Sequence, residues 1–235
     1  MSKNKLAKFA EMASFANVVQ PESLECQNFE YKGCWSEKFF KNSAPLTLEL
    51  GCGKGEYTVA LSRLCPAENF VGVDIKGARI YTGAKTALTE NISNAGFLRT
   101  RIDMIDSFFG LDEVSTIWIT FPDPQPKKQN KRLTSAYFLN LYRRILKDGG
   151  EINLKTDSRL LHFYTLELLK ANDITPEIHT DDLYSSPFAS GVLNEKTYYE
   201  KQFLAQGKKI TYLKFRLGQK RALTEIPKFE FQDGI

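Results

Sequence analysis

The sequence has few residues of the kinds that build disulfide frameworks, metal centres or membrane spans. Its 235 residues include 4 cysteines and 2 histidines. The cysteines form no C-x-x-C pair, so we expect free, partly buried thiols and neither a zinc site nor a disulfide framework. No apolar run approaches the ~20 residues of a membrane helix, and no apolar signal region follows the basic N-terminus. These absences predict a soluble, cytoplasmic protein without a bound metal.

Charge is also modest. The formal net charge is +4, which permits a nucleic-acid partner without requiring one. Hydrophobic residues make up 42% of the chain, enough for a sizeable core. The length suits one α/β domain with extensions, or at most two small domains.

Strand-like and helix-like segments alternate from residue 46 onward. Short runs of β-branched and aromatic residues indicate strands, and apolar residues three and four apart indicate helices. The alternation predicts an α/β fold with a mainly parallel sheet covered by helices on both faces. The expected strands are Leu46–Leu50, Phe70–Asp74, Leu98–Asp103, Ser115–Phe121, Glu151–Thr156, Thr175–Thr180 and Lys209–Leu217.

The predicted helices lie between these strands. The sequence also predicts a division of the chain into three parts. Residues 1–44 are expected to form a partly irregular arm with short helical pieces, residues 45–217 the main domain, and residues 218–235 a tail whose role is unreadable. The expected helices are Glu56–Leu64, a stripe from Ile80 to Leu88, a helix from Phe138 to Leu146 capped by Thr134 or Ser135 and closed by Gly149-Gly150, Arg159–Lys170 and Thr197–Gln206.

Glycines follow the first predicted strand with a spacing of two. Gly51, Gly53 and Gly55 read G-x-G-x-G, and Glu49 stands two residues before the first glycine. A dinucleotide loop has G-x-G-x-x-G, and a carboxylate here would repel a pyrophosphate. The acid suits a positively charged ligand group such as an amino acid ammonium, and the pattern resembles motif I of S-adenosylmethionine-binding methyltransferases. A glycine turn without a ligand is the alternative.

Acids stand at or beside the ends of four predicted strands, where open α/β sheets bind ligands. Asp74, at the end of the second strand, is placed to accept the two hydroxyls of a ribose. Asp103, at the end of the third, is placed to accept from an adenine amine. Any one of these acids could be a solvated loop residue or a helix cap. Together with Glu49 and Asp123 they indicate an adenosine-bearing ligand.

A proline-bounded acid follows the fourth strand, in Phe121-Pro122-Asp123-Pro124. The prolines are expected to push Phe121 and Asp123 towards extended conformations and to hold Asp123 rigidly. Its carboxylate can accept from N1–H and the N2 amine of a guanine. The following loop could track phosphates, or could be merely solvated; its cations are Lys127, Lys128, Lys131 and Arg132. Acid and loop together indicate RNA.

With these motifs the chain resembles the bacterial tRNA (guanine-N7)-methyltransferases, which modify a guanine of the tRNA variable loop. The resemblance runs from about residue 35 to 217. It rests on Leu48-Glu49-Leu50-Gly51-Cys52-Gly53-Lys54-Gly55, Gly72-Val73-Asp74, Phe121-Pro122-Asp123-Pro124, Lys131-Arg132, Leu154-Lys155-Thr156-Asp157 and Thr197-Tyr198-Tyr199-Glu200.

The resemblance implies a Rossmann-like class I methyltransferase fold with seven strands, the C-terminal one antiparallel. It implies S-adenosylmethionine as cofactor and tRNA as substrate, and a monomer or homodimer without an obligatory protein partner. Asp123 matches the family's catalytic residue, and the cofactor contacts would be Glu49, Gly51, Gly53, Gly55, Asp74, Asp103 and Asp123. Substrate contacts would be Lys127, Arg132, Asp157, Thr197, Tyr198, Tyr199 and Glu200.

Other functions remain possible at this point. The chain could be a class I methyltransferase acting on another RNA or on a protein, or an RNA-binding protein that has lost catalysis. Glu49 and the glycine spacing disfavour a nicotinamide-dependent dehydrogenase. Gln125 stands where the family usually has Trp, and the basic loop is slightly shorter than in many members.

Overall fold

An eight-stranded sheet forms the centre of the computed structural model, which describes residues 3–21, 28–219 and 221–231. The strands are β1 Val18–Val19, β2 Leu46–Leu50, β3 Asn69–Asp74, β4 Ala95–Arg99, β5 Val114–Thr120, β6 Leu146–Thr156, β7 Ile178–Thr180 and β8 Thr211–Leu217. Their order across the sheet is β1-β4-β3-β2-β5-β6-β8-β7. The pairs from β1 to β6 are parallel, whereas β8 is antiparallel to both β6 and β7.

Within the described residues, six α-helices connect or flank these strands: α1 Lys3–Met12, α2 Glu56–Leu64, α3 Gly77–Thr89, α4 Ala136–Tyr142, α5 Arg159–Ala171 and α6 Tyr198–Ala205. Alternate strand residues point to opposite faces, which separates two cores. On β5, Ile117 and Ile119 join the core that includes α4 and α5, while Trp118 joins the core that includes α2. The prediction of a mainly parallel sheet with helices on both faces is confirmed.

Each of the seven predicted strands overlaps an observed strand, but three of them differ in their bounds by three residues or more. β6 begins at Leu146 instead of Glu151, and β7 begins at Ile178 instead of Thr175. The third spans Ala95–Arg99, not Leu98–Asp103, because pairing with β3 places Ala95 and Gly96 inside the sheet despite their low strand propensity. The eighth strand, β1, was missed because two residues cannot show a periodic pattern. Its Val18 pairs beside Phe97 at the sheet edge.

The helix predicted to run to Leu146 is too long at its C-terminal end. Helix α4 ends at Tyr142, and Leu146 already belongs to β6. Ile145 and Leu146 are fully buried in the core, which explains why they are apolar although neither is part of a helix. Gly149 and the following glycine lie within β6 and do not close a helix.

Segments outside residues 45–217 also pack on this sheet. Trp35 is fully buried, donates from Nε1 to the carbonyl of Phe108 at 2.9 Å and stacks on Phe109. Leu223, beyond the last strand, is buried in the same core. The division at residues 44 and 217 stays a prediction.

The described residues contain no helix with the length and apolarity needed to cross a bilayer. Nor do they bring together three or more His, Cys, Asp or Glu side chains that could hold a metal ion. Cys34, Cys52 and Cys65 are free thiols, and Cys26 lies outside the described residues.

Candidate active site

A cavity of about 650 Å³ lies at the carboxyl ends of β2, β5 and β6, beside the start of α6. Its size is typical of small-molecule sites, and its position is where open α/β sheets bind ligands. A larger cleft of about 900 Å³ lies between α5 and residues 226–231, away from those strand ends. Position, not volume, therefore identifies the candidate site. The cavity is lined by Glu49, Gly51, Cys52, Gly53, Lys54, Glu56, Arg79, Thr120, Phe121, Pro122, Asp123, Pro124, Asp157, Ser158, Thr197, Tyr199, Phe203 and Lys208.

The glycine loop adopts backbone conformations that side chains disfavour. Gly51, Gly53 and Gly55 have φ of 78°, 55° and 69°. A Cβ at Gly55 would lie 2.6 Å from the ring of Phe97 and 3.1 Å from the Cα of Gly83, so no larger residue fits there. The backbone of this loop forms one wall of the cavity.

Glu49 lies beneath this loop with 3% of its surface exposed. Its carboxylate accepts from the Thr58 backbone N–H at 2.8 Å and from the hydroxyls of Thr58 and Thr120. Burial raises the pKa of Glu49 to about 7, although the hydrogen bonds from the two threonines oppose the rise. A cationic ligand group in the cavity would stabilise the ionised form. The site therefore fits the ammonium of an amino acid moiety.

Asp74 and Asp103 do not line the cavity. Asp74 accepts from the Gly53 N–H at 3.0 Å and from the Lys76 N–H at 2.7 Å, which ties the glycine loop to the end of β3. Asp103 belongs to a short 3₁₀ helix and forms an ion pair with Arg101, which lowers the pKa of its carboxyl. Only part of the predicted cofactor set thus meets in the cavity: Glu49, Gly51, Gly53 and Asp123.

The segment around Asp123 is held in a strained backbone. Phe121 and Gln125 have φ of 48° and 45°, a conformation that costs about 1–3 kcal/mol and tends to occur at functional sites. The expectation that Phe121 is extended is wrong. Its N–H donates to the Lys155 carbonyl at 2.8 Å and its ring packs on Phe203, and these contacts override the proline preference.

Asp123 itself is exposed at the rim of the cavity. Its Oδ1 accepts from the Gln125 N–H at 3.0 Å. This bond fixes the carboxylate while leaving oxygen lone pairs for a ligand. The position predicted for Asp123, at the rim of the sheet, is confirmed.

The basic loop divides into exposed and buried cations. Lys127, Lys128 and Lys131 are exposed, whereas Arg132 is 1% exposed. The Arg132 guanidinium lies 4.3 Å from the ring centre of Tyr164, and its Nε donates to the Pro124 carbonyl at 3.2 Å. The expected contact of Arg132 with substrate does not fit this burial. Arg132 instead supports the proline-bounded segment from below.

Helix α6 begins at the cavity with a reciprocal capping box. The Thr197 hydroxyl accepts from the Glu200 N–H, and the Glu200 carboxylate accepts from the Thr197 N–H. Tyr198 and Tyr199 are exposed, with the ammonium of Lys54 at 4.2 and 5.8 Å from their ring centres. Thr197 and Tyr199 line the cavity, as a substrate-binding role would require.

Glu200 does not reach the cavity, which corrects its predicted contact with substrate. Its fully buried carboxylate lies 2.9 Å from the equally buried ammonium of Lys155, and the Tyr184 hydroxyl donates to it. Lys155 also donates to the carbonyls of Leu193 and Glu195. The pair joins β6 to the segment that leads into α6. Asp157, two residues beyond Lys155, does line the cavity and pairs with Lys208 at 2.6 Å.

Several cavity residues were missed by sequence reasoning. Thr120 could have been noticed, because it directly precedes the proline-bounded segment at a strand end. Arg79, Phe203 and Lys208 carry no local signal, since they come from separate helices or from a loop and meet only in the fold.

Solved structures with a similar fold are methyltransferases. An antibiotic-related methyltransferase aligns with a TM-score of 0.54 at 13% identity, covering 76% of this chain and 90% of that one. The 16S rRNA methyltransferase KamB aligns with a TM-score of 0.53 at 14% identity, covering 77% and 92%. The fold is therefore that of the class I methyltransferases.

Sequence relatives specify the family. The family model described as "Putative methyltransferase" matches residues 43–213. The tRNA (guanine-N(7)-)-methyltransferase of Christiangramia forsetii is 52% identical over 223 residues, covering 92% of this chain and 99% of the relative. That of Bacteroides thetaiotaomicron is 50% identical over 227 residues, covering 96% and 90%. The chain belongs to the tRNA (guanine-N7)-methyltransferase family.

Proposed function

We propose that this protein transfers a methyl group from S-adenosylmethionine to N7 of a guanine in the variable loop of tRNA. The observation that carries the proposal is Asp123, a fixed and exposed carboxylate at the rim of the cavity, followed directly by three exposed lysines. Family membership supports the same reaction.

The cavity suits the cofactor through residues of the glycine loop and β2. Glu49 faces the position of a cationic amino acid group, and the backbone of Gly51 and Gly53 allows close approach. Asp74, beside the cavity, keeps lone pairs that could accept ribose hydroxyls. When bound, S-adenosylmethionine supplies an electrophilic methyl group.

The chemistry of N7 explains why the site needs no general base. N7 has an in-plane lone pair and no proton, so catalysis depends on positioning and on charge. Asp123 would accept from N1–H and the N2 amine, which turns the N7 edge towards the cavity. Its negative charge would also stabilise the cationic guanine that forms.

The exposed surface around the cavity supports an RNA substrate. Lys127, Lys128 and Lys131 extend from the rim and can contact phosphates. Tyr198 and Tyr199 offer exposed aromatic faces on which a base that has left its stack could rest. Asp157 and Thr197 line the cavity itself.

We also propose that the protein acts as a monomer or homodimer without an obligatory protein partner. A tRNA substrate also supports a cytoplasmic location.

The experiment incubates unmodified tRNA with the protein and labelled S-adenosylmethionine and identifies the methylated nucleoside after digestion. We expect 7-methylguanosine. Asp123→Ala should lower turnover by about 100-fold or more, the loss typical of removing one preorganised electrostatic group. Asp123→Asn removes the charge and one of the two acceptor oxygens, while its amide oxygen can still accept from the Gln125 N–H.

Cofactor affinity serves as the control for folding. It should stay measurable in both Asp123 variants. Unchanged turnover in Asp123→Ala would contradict the assignment of Asp123. A different methylated nucleoside would contradict the proposed reaction and leave the fold untouched.

A further inference from the structure

The C-terminal segment Leu223–Phe229, here called the tail, lies against the basic loop. Gln129, in the middle of that loop, is bonded to the tail through both ends of its side-chain amide. Its Nε2 donates to the Ile226 carbonyl at 2.9 Å and to Glu225 Oε1 at 3.1 Å. Its Oε1 accepts from the Phe229 N–H at 2.8 Å. Both the amide nitrogen and the amide oxygen of the Gln129 side chain are therefore hydrogen-bonded to the tail.

Glu225 forms the other half of this contact. Its Oε2 accepts from the N–H of Ala136 at 3.1 Å, and its Oε1 accepts from the Tyr164 hydroxyl at 2.8 Å. Ser135, at the N-cap position of α4, makes no side-chain capping bond. The tail thus provides the acceptor that the helix following the basic loop lacks locally.

The contact continues from Glu225 towards the cavity. Tyr164 lies under the Arg132 guanidinium, and Arg132 donates to the carbonyl of Pro124, the neighbour of Asp123. A chain of direct contacts therefore runs from the tail to the rim of the site. None of its tail members lines the cavity.

The tail is itself anchored to the domain on both sides of the contact. The Asn140 amide exchanges two hydrogen bonds with the backbone of Leu223, each 2.8 Å long. Asn172 does the same with Thr224, and Phe229 packs edge-on against Tyr164. An anchored segment can restrain a loop to which it is hydrogen-bonded, so the tail is able to limit the conformations of the basic loop.

We propose that the tail is a positioning element that holds the basic loop in its tRNA-binding conformation. This inference rests on the proposed function, in which the loop lysines contact tRNA phosphates. A loop already ordered before binding loses less conformational entropy on binding. Glu225 and Gln129 are positioning residues and touch neither cofactor nor the reacting atoms.

The test uses the full chain with Glu225→Ala, and its matched control is Glu230→Ala. Both changes remove one negative charge from the C-terminal region, but Glu230, one residue beyond the tail, is exposed and pairs with Lys228. On Coulomb attraction alone, each removal should tighten tRNA binding slightly. If the tail positions the loop, Glu225→Ala should instead raise the tRNA Kd by about tenfold, while Glu230→Ala does not.

Gln129→Ala provides a second variant without a change in charge. It should weaken tRNA binding to a similar degree, with the KM for tRNA rising more than kcat falls. The slope of log K against log salt should become shallower by about one in both variants. Glu225→Gln, which keeps an oxygen acceptor, should recover part of the loss. Cofactor affinity should stay at the wild-type value in every variant.

The outcomes separate this inference from the proposed function. A triple Lys127, Lys128 and Lys131 to Ala variant tests the phosphate contact itself; unchanged tRNA binding there would contradict the loop's role. If that variant loses binding while Glu225→Ala and Gln129→Ala bind as wild type does, only the positioning role is wrong. Urea unfolding midpoints identify a variant that fails to fold. If Glu225→Ala fails to fold, Gln129→Ala, which changes a half-exposed side chain, tests the positioning role in its place.

Discussion

At the scale of single residues, Glu49 shows how the fold prepares for a cationic ligand. A carboxylate beneath a glycine loop has lost most of its hydration, and its pKa rises to about 7. Thr58 and Thr120 each donate a hydroxyl to it, so it is satisfied as an acceptor even without a ligand. Near neutral pH, Glu49 in the free protein is therefore divided between its protonated and ionised forms.

Cofactor affinity should depend on this titration. If the cationic group binds the ionised carboxylate, affinity should rise by up to about tenfold between pH 6 and pH 7.5, through the pKa of about 7. Glu49→Gln should bind more weakly at pH 7.5 and show a flat profile over the same range. Equilibrium binding of the cofactor at several pH values measures both. A wild-type profile as flat as that of the variant would contradict the role of Glu49.

The same shift has a consequence for stability with the opposite sign. The folded pKa lies above the ordinary value of 4.5, so the folded state binds the proton more tightly than the unfolded state does. The contribution of Glu49 is therefore fully present below pH 4.5 and is lost as pH rises through about 7. The loss is at most about 3 kcal/mol. Comparing urea midpoints of Glu49→Gln and the wild type at pH 5 and pH 8, without ligand, checks this sign.

At the scale of elements, local signals predicted some boundaries well and tertiary packing decided the others. Helix α2 occupies Glu56–Leu64 as expected, because Gly55 and Pro66 limit it on both sides. Helix α4 is shorter than expected, because Leu146 belongs to β6 and Ile145, which precedes it, is buried in the core without being helical. The apolar spacing alone cannot distinguish these two causes.

The candidate site also contains residues that local motifs predict and residues whose positions depend on tertiary packing. Glu49, the glycines and Asp123 were predictable because their motifs are local and lie at strand ends. Arg132 and Glu200 also lie in recognisable motifs, yet both are buried. Whether a charged side chain faces a ligand or the interior depends on distant partners, here Tyr164 for Arg132 and Lys155 for Glu200. These contacts cannot be predicted from a single sequence without knowledge of the fold.

The buried pair of Lys155 and Glu200 should behave as one unit that joins β6 to α6. Lys155→Met or Glu200→Gln alone should lower the free energy of unfolding by about 3–5 kcal/mol, because each leaves an uncompensated buried polar group. Lys155→Met combined with Glu200→Gln should lose less than the sum of the two single losses. Denaturant unfolding measures all three. Arg63→Gln breaks an exposed pair with Glu90 and should cost at most about 1 kcal/mol. Additive losses at Lys155 and Glu200 would argue against coupling.

At the scale of the whole molecule, segments near both ends of the chain pack against the central domain. β1 extends the sheet beyond β4, and the tail supports the basic loop from the other end. The N–H of Trp35 donates to Glu113 at 2.7 Å, and the N–H groups of Gly33 and Gly110 donate to the same carboxylate. The segment before residue 45 is thus tied to the loop that precedes β5.

Trp35 tests whether the first 44 residues unfold with the rest of the molecule. Its ring is fully buried against Phe109 in the core that contains β2 and β5. Trp35→Ala should therefore lower the global free energy of unfolding by about 3–5 kcal/mol, the range for large aromatic truncations. Trp35→Phe, which keeps a ring but loses the Nε1 donor, should cost less. Far-ultraviolet circular dichroism during urea unfolding measures the change across the whole sheet. If Trp35→Ala left that midpoint unchanged, the N-terminal segment would be an independent arm, because its core would not be needed to hold the sheet together.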